Sequence, residues 1–168
     1  MRKKDLKKIS IGTAHLDSIY GINSSILNIN NFRKILNLSC INKINNIDTS
    51  YNYPNSERII GKESISSKFN ISSKITKINS NLSGKKKIEL IENKIDLSLK
   101  RLKQKKINFL LFNESKILLT KDGSKIYDKL IEYKSNKIIK KIGVSVYEIN
   151  ELKNLLKHYD FDIVQIPL

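Results

Sequence analysis

The segment IDTSYNYPNSERIIG, residues 47–61, concentrates the side chains best suited to chemistry. Asp48 closes a short apolar run, Tyr53 follows five residues later, and Glu57 enters a helix-like stretch. Lys74 sits on the next alternating run, FNISSKITKI. A phenol is a poor acid near neutrality, with a reference pKa of about 10. An adjacent ammonium favours the phenolate and lowers that value, and a carboxylate can hold the ammonium in place. An Asp–Lys–Tyr cluster is therefore a proton donor suited to a carbonyl that receives a hydride. Each residue also has a plainer reading. Asp48 could cap a strand end, Tyr53 could pack on a helix, and Lys74 could be an exposed lysine. Tyr51, two residues before Tyr53, competes for the acid role. His15 and Tyr20 follow the first strand-like run and are expected at the mouth of a site. His158 is expected to meet a helix dipole.

The elements that must position these groups follow from periodicity. Strand-like runs cover residues 9–14, 46–50, 69–78, 107–112, 141–147 and 161–166. Helical patterns cover 32–41, 55–65, 87–103, 123–134 and 150–159. In the first helix Phe32, Ile35, Leu36 and Leu38 or Ser39 fall near one face. In the third, Ile88, Ile91, Ile95, Leu99 and Leu102 recur at three- and four-residue steps. The nearly continuous apolar run INFLLF predicts a strand covered on both faces. Strands separated by helices predict parallel pairing through right-handed crossovers.

An open doubly wound sheet and a β/α barrel both fit that order. Polar residues recur where strands end, at Asp48, Lys74, Asn113, Ser145 and Gln165, which favours a barrel with one active face. No glycine-rich phosphate loop follows the first strand, because Gly12 and Gly21 are too far apart for GxGxxG. The expected fold is α/β, of (β/α)8 TIM-barrel type and truncated after about six strands. Residues 1–168 are expected to form a single domain, incomplete at its C-terminus.

A net charge of +16 permits attraction to nucleic acid or anionic membrane. The lysines are spread along the whole chain, however, and no arginine-rich or aromatic-interleaved motif accompanies them. Abundant Ile, Asn and Lys together also fit an AT-rich coding bias. No specific nucleic-acid partner is expected. The one cysteine, Cys40, lies in an apolar stretch and is read as a small core residue. No metal site is expected from it. No run approaches a membrane span, and no signal-peptide pattern opens the chain, so a cytoplasmic location and no membrane partner are expected.

Five segments, in order, resemble the aldo-keto reductase superfamily. IDTSYNYPNSERIIGK is similar to its strand-two signature, where Asp-Thr-Ala leads to a Tyr and then a Glu before a helix. IGTAHLDSIYGI resembles its opening strand, SSKITK its lysine-bearing third strand, and LKRLKQKKINFLLFN its fourth. KKIGVSVYEINELKNLLKHYDFDIVQIPL resembles its fifth and sixth strands. The resemblance implies a TIM barrel and NADP(H) or NAD(H) as cofactor, with a small-molecule carbonyl substrate. It implies Tyr53 as the general acid, tuned by Asp48 and Lys74. It puts Gly12, Thr13 and Asp48 at the cofactor, and Ser145 and Gln165 near the nicotinamide carboxamide. The five-residue step from Asp48 selects Tyr53 over Tyr51.

Two departures from the family pattern stand out. Asn113 occupies the position where the family usually has a histidine at the substrate carbonyl. Asparagine can donate a hydrogen bond there but cannot exchange a proton near pH 7. The late strands that would hold the cofactor's phosphates also lie beyond this sequence. The expected function is NAD(P)H-dependent reduction of an aldehyde, ketone or sugar, or a fragment of such an enzyme. The alternative is a non-catalytic decayed reductase or binding scaffold. The oligomeric state is left open.

Overall fold

The computed structural model describes residues 6–16 and 27–167; Tyr20 lies outside them. Six strands form one parallel sheet: β1 (Ile11–Gly12), β2 (Asn46–Asp48), β3 (Asn70–Ile75), β4 (Ile107–Phe112), β5 (Ile139–Ser145) and β6 (Ile163–Gln165). Their spatial order equals their sequence order, β1-β2-β3-β4-β5-β6. A doubly wound sheet reverses direction at a switch point. This one never does, and it curls into a half-barrel. The helices α1 (Ile29–Ile41), α2 (Pro54–Lys62), α3 (Gly84–Leu102), α4 (Gly123–Ser135) and α5 (Ile149–Leu156) lie between the strands.

Strand alternation sorts the side chains onto two faces. Ile75, Phe112 and Val144 stand in register across β3, β4 and β5 and pack against Ile91 and Ile95 of α3 and Ile126 of α4. Ile47 and Ile71 join Phe32, Leu36, Ile60 and Leu102 in a second cluster. Each such fully buried large side chain contributes about 1.5–3 kcal/mol by leaving water. The opposite, concave face carries Asp48, Ser72, Phe109, Leu111, Ile163 and Gln165 around an open cavity of ≈ 610 Å³. The apolar run of β4 thus serves both faces, as its composition predicts.

Helix boundaries moved where caps intervened. Asn28 accepts a hydrogen bond from the Asn30 amide, so α1 begins three residues before Phe32. Ser83 caps α3 in the same way, and the helix starts at Gly84 rather than at Lys87. The segment after α2 tightens into a 3₁₀ turn over Ser64–Lys68, so the helix stops at Lys62, short of the expected residue 65. On α1 the buried position is Ser39, while Leu38 is 59% exposed. Cys40 is only half-buried and packs at the edge of the second cluster.

The buried face of α3 is the main surprise. Lys87, Lys94 and Ser98 are buried alongside Ile91, Ile95 and Leu102, whereas Ile88 and Leu99 are half-buried. Among the described residues no helix is long and apolar enough to cross a membrane.

Candidate active site

All six strands are parallel, so their C-terminal ends gather at one end of the sheet. Backbone pairing continues one step past them. The Thr13 amide donates to Asp48 O at 3.1 Å, Thr49 to Ser72 O at 2.8 Å, and Asn113 to Ile75 O at 3.0 Å. The Val146 amide donates to Gln165 O at 3.0 Å. The polar residues at the strand ends are therefore held on ordered backbone.

These ends surround a cavity of ≈ 650 Å³. Gly12, Thr13, Asp48, Tyr53, Lys74, Asn113, Ser145 and Gln165 all line it, and so does His15. The structure thus gathers the residues that the resemblance puts at the acid, the cofactor and the carbonyl around one cavity, whereas Tyr51 and His158 do not line it. At the centre, Lys74 Nζ donates to both Asp48 Oδ1 and Oδ2 at 2.6 Å and to Thr49 O at 3.3 Å. The two side chains are 14% and 27% exposed. Thr13 Oγ1 donates to Asp48 O at 3.0 Å, and Ser56 Oγ donates to Thr13 O at 2.7 Å. The Thr13 hydroxyl proton is therefore committed to tying β1 to β2.

Tyr53 is the residue just before α2, followed by Pro54 in the first turn of the helix. Proline fits there because its missing N–H has no intrahelical partner in any case. Tyr51 takes another position. Its ring has Lys94 Nζ and the Arg101 guanidinium carbon each 4.8 Å from the centroid, and it does not line the cavity.

The match to the aldo/keto reductase family model runs over residues 8–168. The chain belongs to the aldo/keto reductase family. Solved structures agree on the fold. PA4992, a Pseudomonas aeruginosa protein assigned as an aldo-keto reductase, superposes with TM-score 0.73 at 22% identity, over 94% of this chain and 61% of its own. The Bacillus halodurans aldo-keto reductase AKR11C1 gives TM-score 0.72 at 16% identity, over 95% and 53%. A Bombyx mori aldo-keto reductase in complex with NADP gives 0.69 at 16% identity, over 95% and 54%. The chain therefore spans between half and two thirds of the length of these neighbours. No protein of curated function matches the sequence.

Behind the cavity this aldo/keto reductase chain holds a polar network that periodicity alone did not reveal. Glu57 is fully buried. It accepts hydrogen bonds from Ser73 Oγ at 3.2 Å, Ser98 Oγ at 2.7 Å and Arg101 Nη1 at 3.2 Å. Burial pushes its carboxyl pKa up, and the Ser98, Arg101 and Ser73 hydrogen bonds only partly offset this. Lys94, also buried, donates to Thr76 O and to Lys77 O at 3.2 Å. Burial lowers its pKa, with Glu114 acting against the shift. In sequence, Glu57 looks like an ordinary acidic residue of a helix first turn. The usable signal was its place three residues, about one turn, before the buried Ile60, which puts it on the same side of the helix.

Proposed function

We propose that the chain takes part in NAD(P)H-dependent reduction of an aldehyde, ketone or sugar carbonyl to an alcohol. The observation that carries this reading is the Lys74–Asp48 pair on the wall of the cavity that Tyr53 also lines. Tyr53 gives its phenolic proton to the carbonyl oxygen. Lys74 favours the phenolate left behind, because a nearby cation stabilises the charged form. Asp48 fixes the Lys74 ammonium through both carboxylate oxygens. Asn113 orients the carbonyl by donating from its side-chain amide, with no proton relay.

NADP(H) or NAD(H) fits the other side of the cavity. Gln165 lines it, and its Oε1 is buried with no hydrogen-bond partner among the described residues. A carboxamide N–H is the donor such an oxygen lacks. Gln165 and Ser145 would hold that end, with Gly12 and Thr13 along the β1 side. When bound, the reduced nicotinamide supplies the hydride. The named neighbour from Bombyx mori was solved with NADP, and another from Klebsiella pneumoniae with NADPH. We read residues 1–168 as one domain that supplies the catalytic and nicotinamide side of the site.

A second reading, a non-catalytic scaffold, is favoured by Asn113, which replaces a titratable group with one that cannot titrate. Oxidation of NADPH with a panel of aldehydes, ketones and sugars separates the two. Turnover that Tyr53→Phe abolishes supports reduction. No turnover, or turnover that Tyr53→Phe leaves intact, supports the scaffold.

A further inference from the structure

We infer that Arg101 and Lys94 are positioning residues that hold the Tyr53 loop against α3 through Tyr51. The inference rests on the reading of Tyr53 as the acid, and its test does not require turnover. The peptide units around Tyr51 are fixed on both sides. Its amide donates to Lys74 O at 3.1 Å, and its carbonyl accepts from Arg101 Nη1 at 3.0 Å. The chain then turns through Asn52, and the Tyr53 amide donates back to Ser50 O at 2.9 Å. Arg101 thereby sets the peptide from which Tyr53 is two residues removed, on the same backbone that meets Lys74.

The same guanidinium reaches Glu57, so one side chain joins the loop, the first turn of α2 and the C-terminal end of α3. Lys94 stands seven residues earlier on α3, two turns away on the same face. It shares the Tyr51 ring with Arg101 and also donates to the Thr76 and Lys77 carbonyls. Two cations on one helix face thus anchor the loop after β2 and the loop after β3 together. A ring in contact with two cations is held without giving up its hydroxyl. That is a use for a tyrosine beside the cavity which is not the acid.

The test uses chemical shifts of ¹³C-tyrosine-labelled protein, with the Tyr53 resonance assigned by Tyr53→Phe. Arg101→Lys keeps the charge but loses the planar guanidinium whose Nη1 meets both Tyr51 O and Glu57 Oε2. It is expected to move the Tyr53 resonance. Tyr51→Leu, at a half-buried position, removes the ring and is expected to do the same. Tyr51→Phe keeps ring and carbonyl and should leave the resonance in place. Ile126→Val, on the core face of α4, loosens the fold without touching the clamp and should also leave it in place. Where carbonyl turnover is measurable, Arg101→Lys lowers kcat by up to about 100-fold with KM little changed, the scale of a small misplacement of a reacting group. An unmoved Tyr53 resonance in both Arg101→Lys and Tyr51→Leu overturns the inference. If Arg101→Lys fails to fold, Tyr51→Leu decides alone. A wild-type chain without turnover would overturn the reductase reading and leave the resonance to decide this one.

Discussion

Removing the Lys74–Asp48 contact should cost stability, and the amount follows from its burial. Lys74 Nζ meets both carboxylate oxygens at 2.6 Å, with side chains 14% and 27% exposed. A fully exposed pair is worth about 0.2–1 kcal/mol. Breaking a fully buried one costs about 3–5 kcal/mol. This pair lies between those limits, and hydrogen bonds to charged groups contribute about 1.5–3 kcal/mol. Lys74→Met keeps the length of the side chain and removes its charge. Asp48→Asn keeps the shape of the carboxylate. A double-mutant cycle of these two, by urea unfolding at neutral pH, should give a coupling energy of about 1.5–3 kcal/mol. At 1 M salt the Debye length is about 3 Å, so a solvated pair would be screened while this one keeps most of its coupling. A coupling below about 0.5 kcal/mol, or one that vanishes in high salt, would refute the reasoning. The pair would then be a surface contact, unable to hold the Lys74 ammonium in place.

Two further outcomes follow from the packing and the buried acid. Gly143 pairs with Ile163 across β5 and β6, and a Cβ there would lie 2.2 Å from Ile163 O. Gly143→Ala should push β6 away, cost about 1–3 kcal/mol of overpacking strain, and speed amide exchange at Val164 and Gln165. Wild-type exchange there would count against it. Burial raises the Glu57 pKa above 4.5, so the folded chain holds this proton more tightly than the unfolded chain does. Its contribution to stability is full below pH 4.5 and is lost as pH rises through the folded value. Glu57→Gln should flatten that part of the stability–pH curve, measured by urea midpoints across acid pH, and an unchanged slope would locate the proton elsewhere.

Parallel pairing was legible in the sequence because it depends on local order, and the polar strand ends favoured a barrel over an open sheet. Alternating strand and helix runs require parallel pairing, and polar residues at Asp48, Lys74, Asn113, Ser145 and Gln165 mark one end of every strand they close. Those groups meet because parallel strands point their C-terminal ends the same way, whatever the details of packing. Element ends were less legible, since Asn28 and Ser83 act through single side-chain caps that leave little trace in periodicity.

The sequence by itself determined the strand–helix rhythm, the apolar stripes and the set of residues that could do chemistry. It could not decide which polar side chains of α3 are buried. Nothing in the sequence marks Lys87, Lys94, Ser98 or Arg101 for contact with the interior, since charged and polar groups are normally stable there only when partnered. Their partners come from far along the chain: Asp122 for Lys87, the Thr76 carbonyl for Lys94, and Glu57 for Ser98 and Arg101. Only the tertiary structure, by laying α3 across α2 and β3, supplied the opposite charges and carbonyls that make those burials possible. The same packing separated Tyr51 from Tyr53, placing one against two cations and the other on the cavity.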